Sequence, residues 1–274
     1  MDGRTILITG ATDGLGRHLA VRLGEVGWRV LVHGRDADRA EQVRARIEAA
    51  GGPEPAVLLA DLADLGEVTR LAAAVERHTD RLDVLVNNAG VGFGRPGAVC
   101  QTSADGIELR FAVNYLAGVR LTRLLLGLLT RCAPARIVNV ASAGQEPLDF
   151  ADLLTTRDYD GVRAYRRSKL AQIMGTFDLA EELAGTGVTA DALHPATFMD
   201  TTMVRQAGSP VSSTVTEGGD ATLRLITGPT AASGTGRYFS GGREARALDQ
   251  AYDPEARRRL RQATDELLAA STRS

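Results

Sequence analysis

The sequence predicts a doubly wound α/β fold, in which a mostly parallel sheet lies between two layers of helices. Its apolar runs are continuous and do not alternate with polar residues, which is typical of parallel strands covered on both faces. Longer helical patterns separate the runs, and this alternation of strand and helix predicts a parallel sheet with helices on both faces. The predicted strands are Ile6–Ile8, Val30–Val32, Val57–Leu59, Val84–Val86, Ile137–Val138 and Val188–Leu193.

Apolar residues at three- and four-residue steps predict the helices. In one of them, Leu65, Val68, Leu71 and Val75 form a single buried stripe. The predicted helices are 14–26, 64–78, 104–131 and 165–184.

The pattern changes after about residue 195. Gly208-Ser209-Pro210 and Ser212-Ser213-Thr214 favour a mobile surface segment over about 196–220, on the substrate side. A short strand near Tyr238-Phe239 and a charged C-terminal helix over 254–270 follow. Four arginines on that helix, at 257, 258, 259 and 261, predict a solvated face.

Length and composition indicate an ordinary globular protein. With 274 residues, 44% hydrophobic and 24% charged, the chain fits one domain over 1–274 and neither a disordered nor a membrane-spanning protein. Its 32 basic and 34 acidic side chains nearly cancel, so no global field attracts nucleic acid or anionic lipid. We therefore expect small-molecule partners, with neither nucleic acid nor a membrane.

Two cysteines, Cys100 and Cys132, are too few for a disulfide scaffold and lack metal-ligand spacing. We predict reduced structural thiols and no metal site. Because Met1 to Arg4 lead directly into an apolar strand, no secretory signal is predicted, and we expect a cytoplasmic protein.

A glycine-rich turn joins the first strand to the first helix, in the stretch Gly10-Ala11-Thr12-Asp13-Gly14-Leu15-Gly16. Glycine permits a tight turn with positive φ and allows a pyrophosphate to approach the backbone. The helix N-terminus that follows presents free N–H groups and partial positive charge to an anion. Such a turn alone is a weak signal, and its position between strand and helix strengthens the prediction of a dinucleotide site.

Tyr165 and Lys169 lie four residues apart, so a helix places both on one face. A phenol titrates near about 10, and a nearby ammonium can stabilise its anion for proton exchange at neutral pH. Most matches to this spacing are structural, and its value depends on other residues. Ser142 ends the fifth predicted strand, where ligands of open α/β sheets bind, and Asn114 lies in mid-helix, where asparagine is unfavourable.

Together these motifs resemble the short-chain dehydrogenase/reductase family, whose TGxxxGxG turn matches Thr9 to Gly16. The resemblance extends from Thr5 to about Phe239. It implies a Rossmann-type oxidoreductase with an Asn114, Ser142, Tyr165 and Lys169 tetrad. By that resemblance, Ser142 and Tyr165 bind a substrate carbonyl, and Tyr165 donates a proton as hydride arrives. Lys169 then lowers the phenol pKa and binds the nicotinamide ribose, while Asn114 holds a water that resupplies protons.

The residues after the second strand predict the cofactor. An acid there binds a ribose 2′-hydroxyl, whereas an arginine accommodates a 2′-phosphate. By resemblance, the acid of NAD-preferring members falls at Gly34, and Arg35 matches the arginine of NADP-preferring ones. NADP(H) is therefore favoured over NAD(H), although Asp13 stands where some NADP-dependent relatives carry lysine. Asp36 is interpreted as the cap of the next helix.

Further stretches resemble the family's cofactor wall. Asp61-Leu62 matches the pair beside the adenine, and Asn87-Asn88-Ala89-Gly90 closes the fourth strand. Both stretches could instead be turns and helix caps. Pro195 follows the sixth strand, with Ala196 where glycine is usual, and either Thr197 or Thr201 matches the threonine that contacts the carboxamide. His194 is expected to be a satisfied strand-end residue.

The long loop between Ser142 and Tyr165 resembles the retinol-dehydrogenase-like branch, whose members often carry an N-terminal membrane anchor that we do not predict here. We hypothesise an apolar pocket and a hydrophobic ketone, aldehyde or alcohol substrate. Core packing is an equal alternative for the pocket residues. They are Phe93, Phe150, Asp152, Leu153, Leu154, Tyr159, Phe198, Met199, Met203 and Val204.

Two other functions remain open. A redox-neutral epimerase or dehydratase on this scaffold would keep its nicotinamide bound, whereas a cofactor-sensing binding protein commonly lacks the tyrosine or lysine. By analogy with the family, a homodimer or homotetramer could form through helices 104–131 and 165–184.

Overall fold

The structure, a computed structural model, describes residues 3–95, 97–228 and 234–271. The predicted domain begins at Met1, as does the N-terminal stretch predicted to lack a secretory signal. Met1 and Asp2 lie outside the described residues.

Strand and helix alternate through most of the chain. The strands are β1 Thr5–Ile8, β2 Arg29–Gly34, β3 Ala56–Leu59, β4 Val84–Asn87, β5 Ala135–Val140, β6 Val188–His194, β7 Tyr238–Ser240 and β8 Arg243–Glu244. The helices are α1 Gly14–Glu25, α2 Ala37–Ala49, α3 Leu65–His78, α4 Leu109–Phe111, α5 Ala117–Arg131, α6 Gly161–Glu182, α7 Thr202–Gln206, α8 Val215–Thr227 and α9 Pro254–Ser271. A π-helical turn, Ala112–Leu116, joins α4 to α5.

Within the described residues, the strands form one sheet in the order β3-β2-β1-β4-β5-β6-β7-β8. Neighbouring strands are parallel except β8, which pairs antiparallel with β7. The predicted doubly wound, mostly parallel sheet is therefore confirmed. Successive residues of β1 face opposite cores: Leu7 packs towards α3, α5, α6 and α9, whereas Ile6 and Ile8 pack towards α1, α2 and α8. Covering on both faces explains why the strands have continuously apolar sequences.

The helix predicted over 104–131 begins later, at Leu109. Residues before it form a turn closed by a bridge between Thr102 and Glu108, and the Glu108 carboxylate caps α4 by accepting from the Phe111 N–H at 2.8 Å. Within the described residues, Leu109–Arg131 is a helical stretch long and apolar enough to cross a membrane. It packs as a core helix, with 56% of its most apolar window buried.

The segment predicted to be mobile, about 196–220, contains one helix and the start of another. α7 occupies Thr202–Gln206, and α8 begins at Val215. A capping box fixes the start of α8: Thr214 Oγ1 accepts from the Glu217 N–H at 3.1 Å, and Glu217 Oε2 accepts from the Thr214 N–H at 2.6 Å.

The terminal helix α9 lies across α5 and α6. Its Arg261 donates to Asp178 of α6 at 2.9 Å, and its Asp265 accepts from Arg123 of α5 at 2.7 Å. The predicted solvated arginine face is wrong for Arg257, whose side chain is only 14% exposed and pairs with Asp178 and Glu181. α9 thus covers part of the surface through which the family analogy predicts self-association.

Candidate active site

Four turns meet at the carboxyl edge of the sheet. The glycine turn follows β1, Asn88 to Gly90 follow β4, Ser142 follows β5 and Pro195 follows β6. Because β1 pairs with both β2 and β4, the chain reverses its winding direction beside the glycine turn. Ligands of open α/β sheets bind at this kind of switch point.

The glycine turn is held by the protein's own backbone. Gly10 has a φ of +64°, which favours glycine, and its N–H donates to His33 Nδ1 at 3.1 Å. At Gly16, a Cβ would lie 2.1 Å from the Gly10 carbonyl oxygen. Glycine at 16 is therefore required by the turn itself, in addition to any approach of a pyrophosphate. Asn88 Nδ2 closes the turn by donating to the Thr9 carbonyl at 2.8 Å.

Asp13 caps α1, accepting from the Gly14 N–H at 2.7 Å. Its carboxylate lies 3.8 Å from the Arg39 guanidinium, which is also 3.5 Å from Asp36. Asp36 caps α2 as predicted. Sequence reasoning missed Arg39, whose positive charge offsets the Asp13 charge that opposed an NADP(H) assignment.

Arg35 lies at the same edge, 70% exposed, with its guanidinium 3.5 Å from the Asp61 carboxylate. The neighbouring Gly34 faces Thr12, and a Cβ at 34 would lie 2.4 Å from Thr12 Cγ2. An acid at position 34 would therefore require Thr12 to move. This edge of the site thus presents two arginines, Arg35 and Arg39, paired with Asp61, Asp13 and Asp36.

Several predicted cofactor residues direct their side chains into the protein. Leu15 and Leu62 are each 5% exposed and pack in the two cores, so only their backbones face the cleft edge. Asn87 is also buried and donates to Thr122 and Asn139. Gly90, in contrast, lies beside the predicted catalytic groups: its Cβ would be 3.3 Å from Asn114 Oδ1. Ala89 donates its N–H to Thr9 Oγ1 at 3.0 Å.

Asn114 lies in the π-helical turn and is 2% exposed. Its Oδ1 accepts from the Val91 N–H at 2.7 Å, and its Nδ2 donates to the Val91 carbonyl at 3.1 Å and to Ser168 Oγ at 3.0 Å. Ser168 in turn donates to the Tyr165 carbonyl at 2.7 Å. Asn114 therefore links the loop after β4 to the helix turn that carries Tyr165. Single π turns occur frequently at functional sites.

Ser142 and Tyr165 meet directly. Burial raises the pKa of the Tyr165 phenol, and a hydrogen bond with the Ser142 side chain opposes that rise. The net direction is opposite to the lowering expected from Lys169. Tyr165 thus keeps its proton at neutral pH, as a proton donor must. Tyr238 and Gln145 fix the Ser142 backbone by donating to its carbonyl, each at 3.1 Å.

Lys169 is buried on the same helix face, with Nζ 5.9 Å from the centre of the Tyr165 ring. Its ammonium donates to the Val140 carbonyl at 2.7 Å and to Gln172 Oε1 at 3.2 Å. Burial lowers the pKa of Lys169 to about 7. All four members of the predicted tetrad therefore gather around the ends of β4 and β5.

The two candidate threonines differ in position. Thr197 Oγ1 lies 3.0 Å from His194 Nε2, so His194 is satisfied locally as predicted. Thr201 caps α7 and lies against the glycine turn, where a Cβ at Gly14 would be 3.0 Å from Thr201 Cγ2. Pro195 is buried beside α8. Of the two threonines, Thr201 is the one placed against the predicted phosphate-binding turn.

The predicted pocket residues divide into two groups. Phe93 packs edge-on against Tyr165, with ring centres 5.8 Å apart, and Met203 lies against Gly92 in the neighbouring loop. Phe198 is 41% exposed and has a φ of +44°, a strained backbone for a bulky residue.

The other pocket residues serve packing or loop structure. Phe150, Leu153 and Leu154 pack on the core that lies under α3, α5, α6 and α9. Met199 packs on the core that lies under α1, α2 and α8, and Val204 is buried. Asp152 accepts backbone N–H groups within its loop, and Tyr159 is bonded to Glu108 and Arg110. For these residues the structure favours the alternative of packing and loop structure.

His33 is a further residue that sequence reasoning missed. It is 2% exposed, and its Nε2 lies 3.1 Å from the Ala60 carbonyl while Nδ1 accepts from Gly10. Burial lowers the His33 pKa to about 4, so the ring is neutral and ties the glycine turn to the end of β3. Its partners lie 23 and 27 residues away, and no local pattern indicates the role.

Comparison with known proteins places this geometry among its relatives. The sequence model of the short chain dehydrogenase family matches residues 4–211. The chain is 38% identical to human retinol dehydrogenase 14, over 95% of this chain and 84% of that protein. A solved structure of an uncharacterised protein from Mycobacterium paratuberculosis superposes with a TM-score of 0.77 at 28% identity, covering 97% and 93% of the two chains. The Pseudomonas aeruginosa RhlG/NADP active-site complex superposes with a TM-score of 0.72 at 29% identity, covering 88% and 95%.

Proposed function

The chain belongs to the short-chain dehydrogenase family and to its retinol-dehydrogenase-like branch, and from that premise we propose that it is an NADP(H)-dependent carbonyl reductase acting on hydrophobic ketones or aldehydes. Oxidation of the corresponding alcohols is the same reaction reversed. The general activity, hydride transfer by an oxidoreductase, follows from the family; cofactor preference, substrate and direction are the proposal.

The convergence of Asn114, Ser142, Tyr165 and Lys169 carries the proposal. Ser142 and Tyr165 present two neighbouring hydroxyl groups, each of which can donate to one carbonyl oxygen. The nearby Lys169 ammonium and the buried Asn114 amide complete this polar group of side chains.

The residues fit a dinucleotide. The glycine turn and the α1 N-terminus would hold a pyrophosphate, and Arg35 with Arg39 would hold a 2′-phosphate. Gly34 stands where an acid would bind a ribose 2′-hydroxyl, which supports NADP(H) over NAD(H). The exposed Arg35–Asp61 pair is weak enough for a phosphate dianion to displace the carboxylate. When bound, the nicotinamide would supply or accept the hydride.

The protein's own groups handle the proton. Because burial raises the pKa of Tyr165, the phenol remains protonated across neutral pH and can donate to a developing alkoxide. This favours reduction at neutral pH, since oxidation would require the phenolate. Phe93 packs against the Tyr165 ring, and Met203 lies against Gly92 in the neighbouring loop; this apolar surface supports a hydrophobic substrate.

The test is an NADPH-oxidation screen of the purified protein against long-chain aldehydes, aromatic ketones and small polar sugars. We expect stoichiometric NADPH consumption with the lipophilic carbonyls, with Tyr165→Phe as the catalytic blank. Activity on sugars with none on lipophilic carbonyls would refute the substrate class. Cofactor that stays bound without net consumption would favour the redox-neutral alternative, and no turnover with any carbonyl would favour a cofactor sensor.

A further inference from the structure

Lys169 is the only lysine in the chain, in which every other member of the 32 basic Lys and Arg side chains is arginine. The residue is 4% exposed, and the acceptors of its ammonium are the Val140 carbonyl and the Gln172 side chain. Both acceptors are neutral, and burial lowers the Lys169 pKa. The charge on Lys169 therefore depends on neutral hydrogen-bond acceptors and not on a carboxylate.

Gln172 lies one helical turn after Lys169 and is 6% exposed. Its backbone carbonyl accepts from Thr176 Oγ1 at 2.7 Å, and Thr176 accepts from Asn139 Nδ2 at 2.8 Å. Asn139 accepts from Asn87 Nδ2 at 2.8 Å. A hydrogen-bonded network thus runs from Gln172 across β5 to β4 and fixes the position from which the Gln172 side chain reaches Lys169.

The Gln172 side chain also borders a cavity of about 60 Å³ between α5, α6 and α9. The outer end of the cavity is lined by exposed residues, including Glu182, so the cavity leads towards the surface. Gln172 is therefore not surrounded by close-packed core on that side. A side chain of similar volume at 172 can be accommodated without repacking.

We propose that Gln172 is a positioning residue for Lys169: its side-chain carbonyl holds the ammonium on the Tyr165 side of the helix and favours the protonated lysine. An ammonium has three N–H donors, and Val140 with Gln172 takes two of them. The third remains for the proposed reaction site. A neutral amine has two N–H donors, which are weaker than those of an ammonium, and its lone pair would face acceptors only, so the pair of acceptors stabilises the charged form.

The other ionisable groups near this network lie in two places. The phenol of Tyr165 lies on the Lys169 face of α6, and the remaining groups line the cavity. They are Tyr115 of the π-helical turn, Arg123 of α5, Asp178 and Glu182 of α6, and Arg261 of α9.

Because Lys169 is the sole lysine, its titration can be read directly. Protein grown with ¹³Cε-lysine gives one lysine side-chain signal, whose chemical shift against pH yields the Lys169 pKa. Gln172→Met, which removes the acceptor at similar volume, is expected to lower the pKa by about one pH unit, whereas Gln172→Glu is expected to raise it by about one to two. Glu182→Gln, at the outer end of the same cavity, is the charge control and should leave it unchanged.

Shifts in opposite directions for Gln172→Met and Gln172→Glu would support the proposal, since a merely structural role would not produce them. Unchanged titration in both folded variants, or a shift in Glu182→Gln as large as in Gln172→Glu, would overturn it. If Gln172→Glu does not fold, Gln172→Met against the wild type decides alone.

The relevance of this contact to catalysis rests on the proposed function, and a second readout separates the two. The pH profile of kcat for NADPH oxidation is expected to shift in the same direction as the Lys169 titration in each variant. Failure of the wild type to turn over any carbonyl would contradict the proposed function, while the NMR titration would still decide whether Gln172 controls Lys169. A kcat profile that stays fixed while the titration moves would remove Gln172 from catalysis.

Discussion

The two ends of the predicted cofactor cleft are built by opposite means. At the adenosine end, Arg35 and Arg39 are exposed and face carboxylates at distances of 3.5 and 3.8 Å. At the catalytic end, Asn114 and Lys169 are almost fully buried and bonded at 2.7 to 3.2 Å, largely to neutral carbonyl and amide groups. The adenosine end relies on charged side chains exposed to water, and the catalytic end relies on short hydrogen bonds in a buried environment of low dielectric constant.

This difference sets the expected size of each substitution. Exposed ion pairs contribute about 0–1 kcal/mol, whereas a buried donor or acceptor left without its partner costs about 1–3 kcal/mol. Cofactor preference should therefore be graded and easily changed, while the catalytic end should tolerate little change. Three measurements, from the largest expected effect to the smallest, test whether burial controls this division.

Tyr165→Phe is expected to reduce kcat for carbonyl reduction by about 10²- to 10⁴-fold, because the site loses its proton donor. The Kd for NADPH, measured by fluorescence titration, should change little, since the phenyl ring is retained against Phe93. A variant that keeps most of its activity would contradict the role of the phenol.

His33 tests burial at the other end of the cleft, because it lies beside the glycine turn yet is 2% exposed. Its folded pKa of about 4 is below the usual 6.5, so the unfolded chain takes up a proton at a higher pH than the folded one. His33 should therefore destabilise the fold as pH falls from about 6.5 to about 4, by about 3 kcal/mol in total. The measurement is urea unfolding at pH 7, 5.5 and 4.

His33→Asn is the matched variant, since an amide oxygen can accept from the Gly10 N–H but does not titrate. We expect a shallower loss of unfolding free energy on acidification than in the wild type. Parallel curves for the two proteins would show that His33 does not couple the turn to pH.

Arg35→Ala is expected to raise the NADPH Michaelis constant about tenfold while changing the NADH constant little, since a charged hydrogen bond contributes about 1.5–3 kcal/mol and exposure reduces it. Arg39→Ala should have a smaller effect, because its guanidinium also faces Asp13 and Asp36. Arg44→Ala, which removes an arginine paired with Glu41 on α2, is the control. Equal effects on the two cofactors would contradict the NADP(H) assignment.

The parts of the fold that depend on local pattern were predictable. Continuous apolar runs locate the parallel strands, because both faces of the sheet are covered. The start of α8 could also have been predicted, since Thr214 and Glu217 have capping-box spacing. The surrounding serines and glycines suggested a loop instead. The π turn at Ala112–Leu116 could not be predicted, because the apolar periodicity of a π turn does not distinguish it from an α-helix.

The candidate site likewise contains residues that the sequence predicts and residues that it does not. Asn114, Ser142, Tyr165 and Lys169 belong to recognisable motifs, and the structure brings them together. Gln172, Arg39 and His33 carry no motif, and their roles come from partners that only the fold brings close, such as Gly10 for His33. Burial also reversed one expectation, since the Tyr165 pKa is raised. Desolvation depends on the whole fold and cannot be read from a four-residue spacing.

The terminal helix α9 has a consequence for how the protein behaves at low concentration. A second copy approaching the part of α5 and α6 that α9 covers would have to displace the Arg257 and Arg261 contacts with Asp178 and the hydrogen bond between Tyr115 and Thr264. All of these are intramolecular, so dilution does not weaken them. Specific activity should therefore stay constant from micromolar to nanomolar protein, as it would not if a site depended on a dissociable partner across this face.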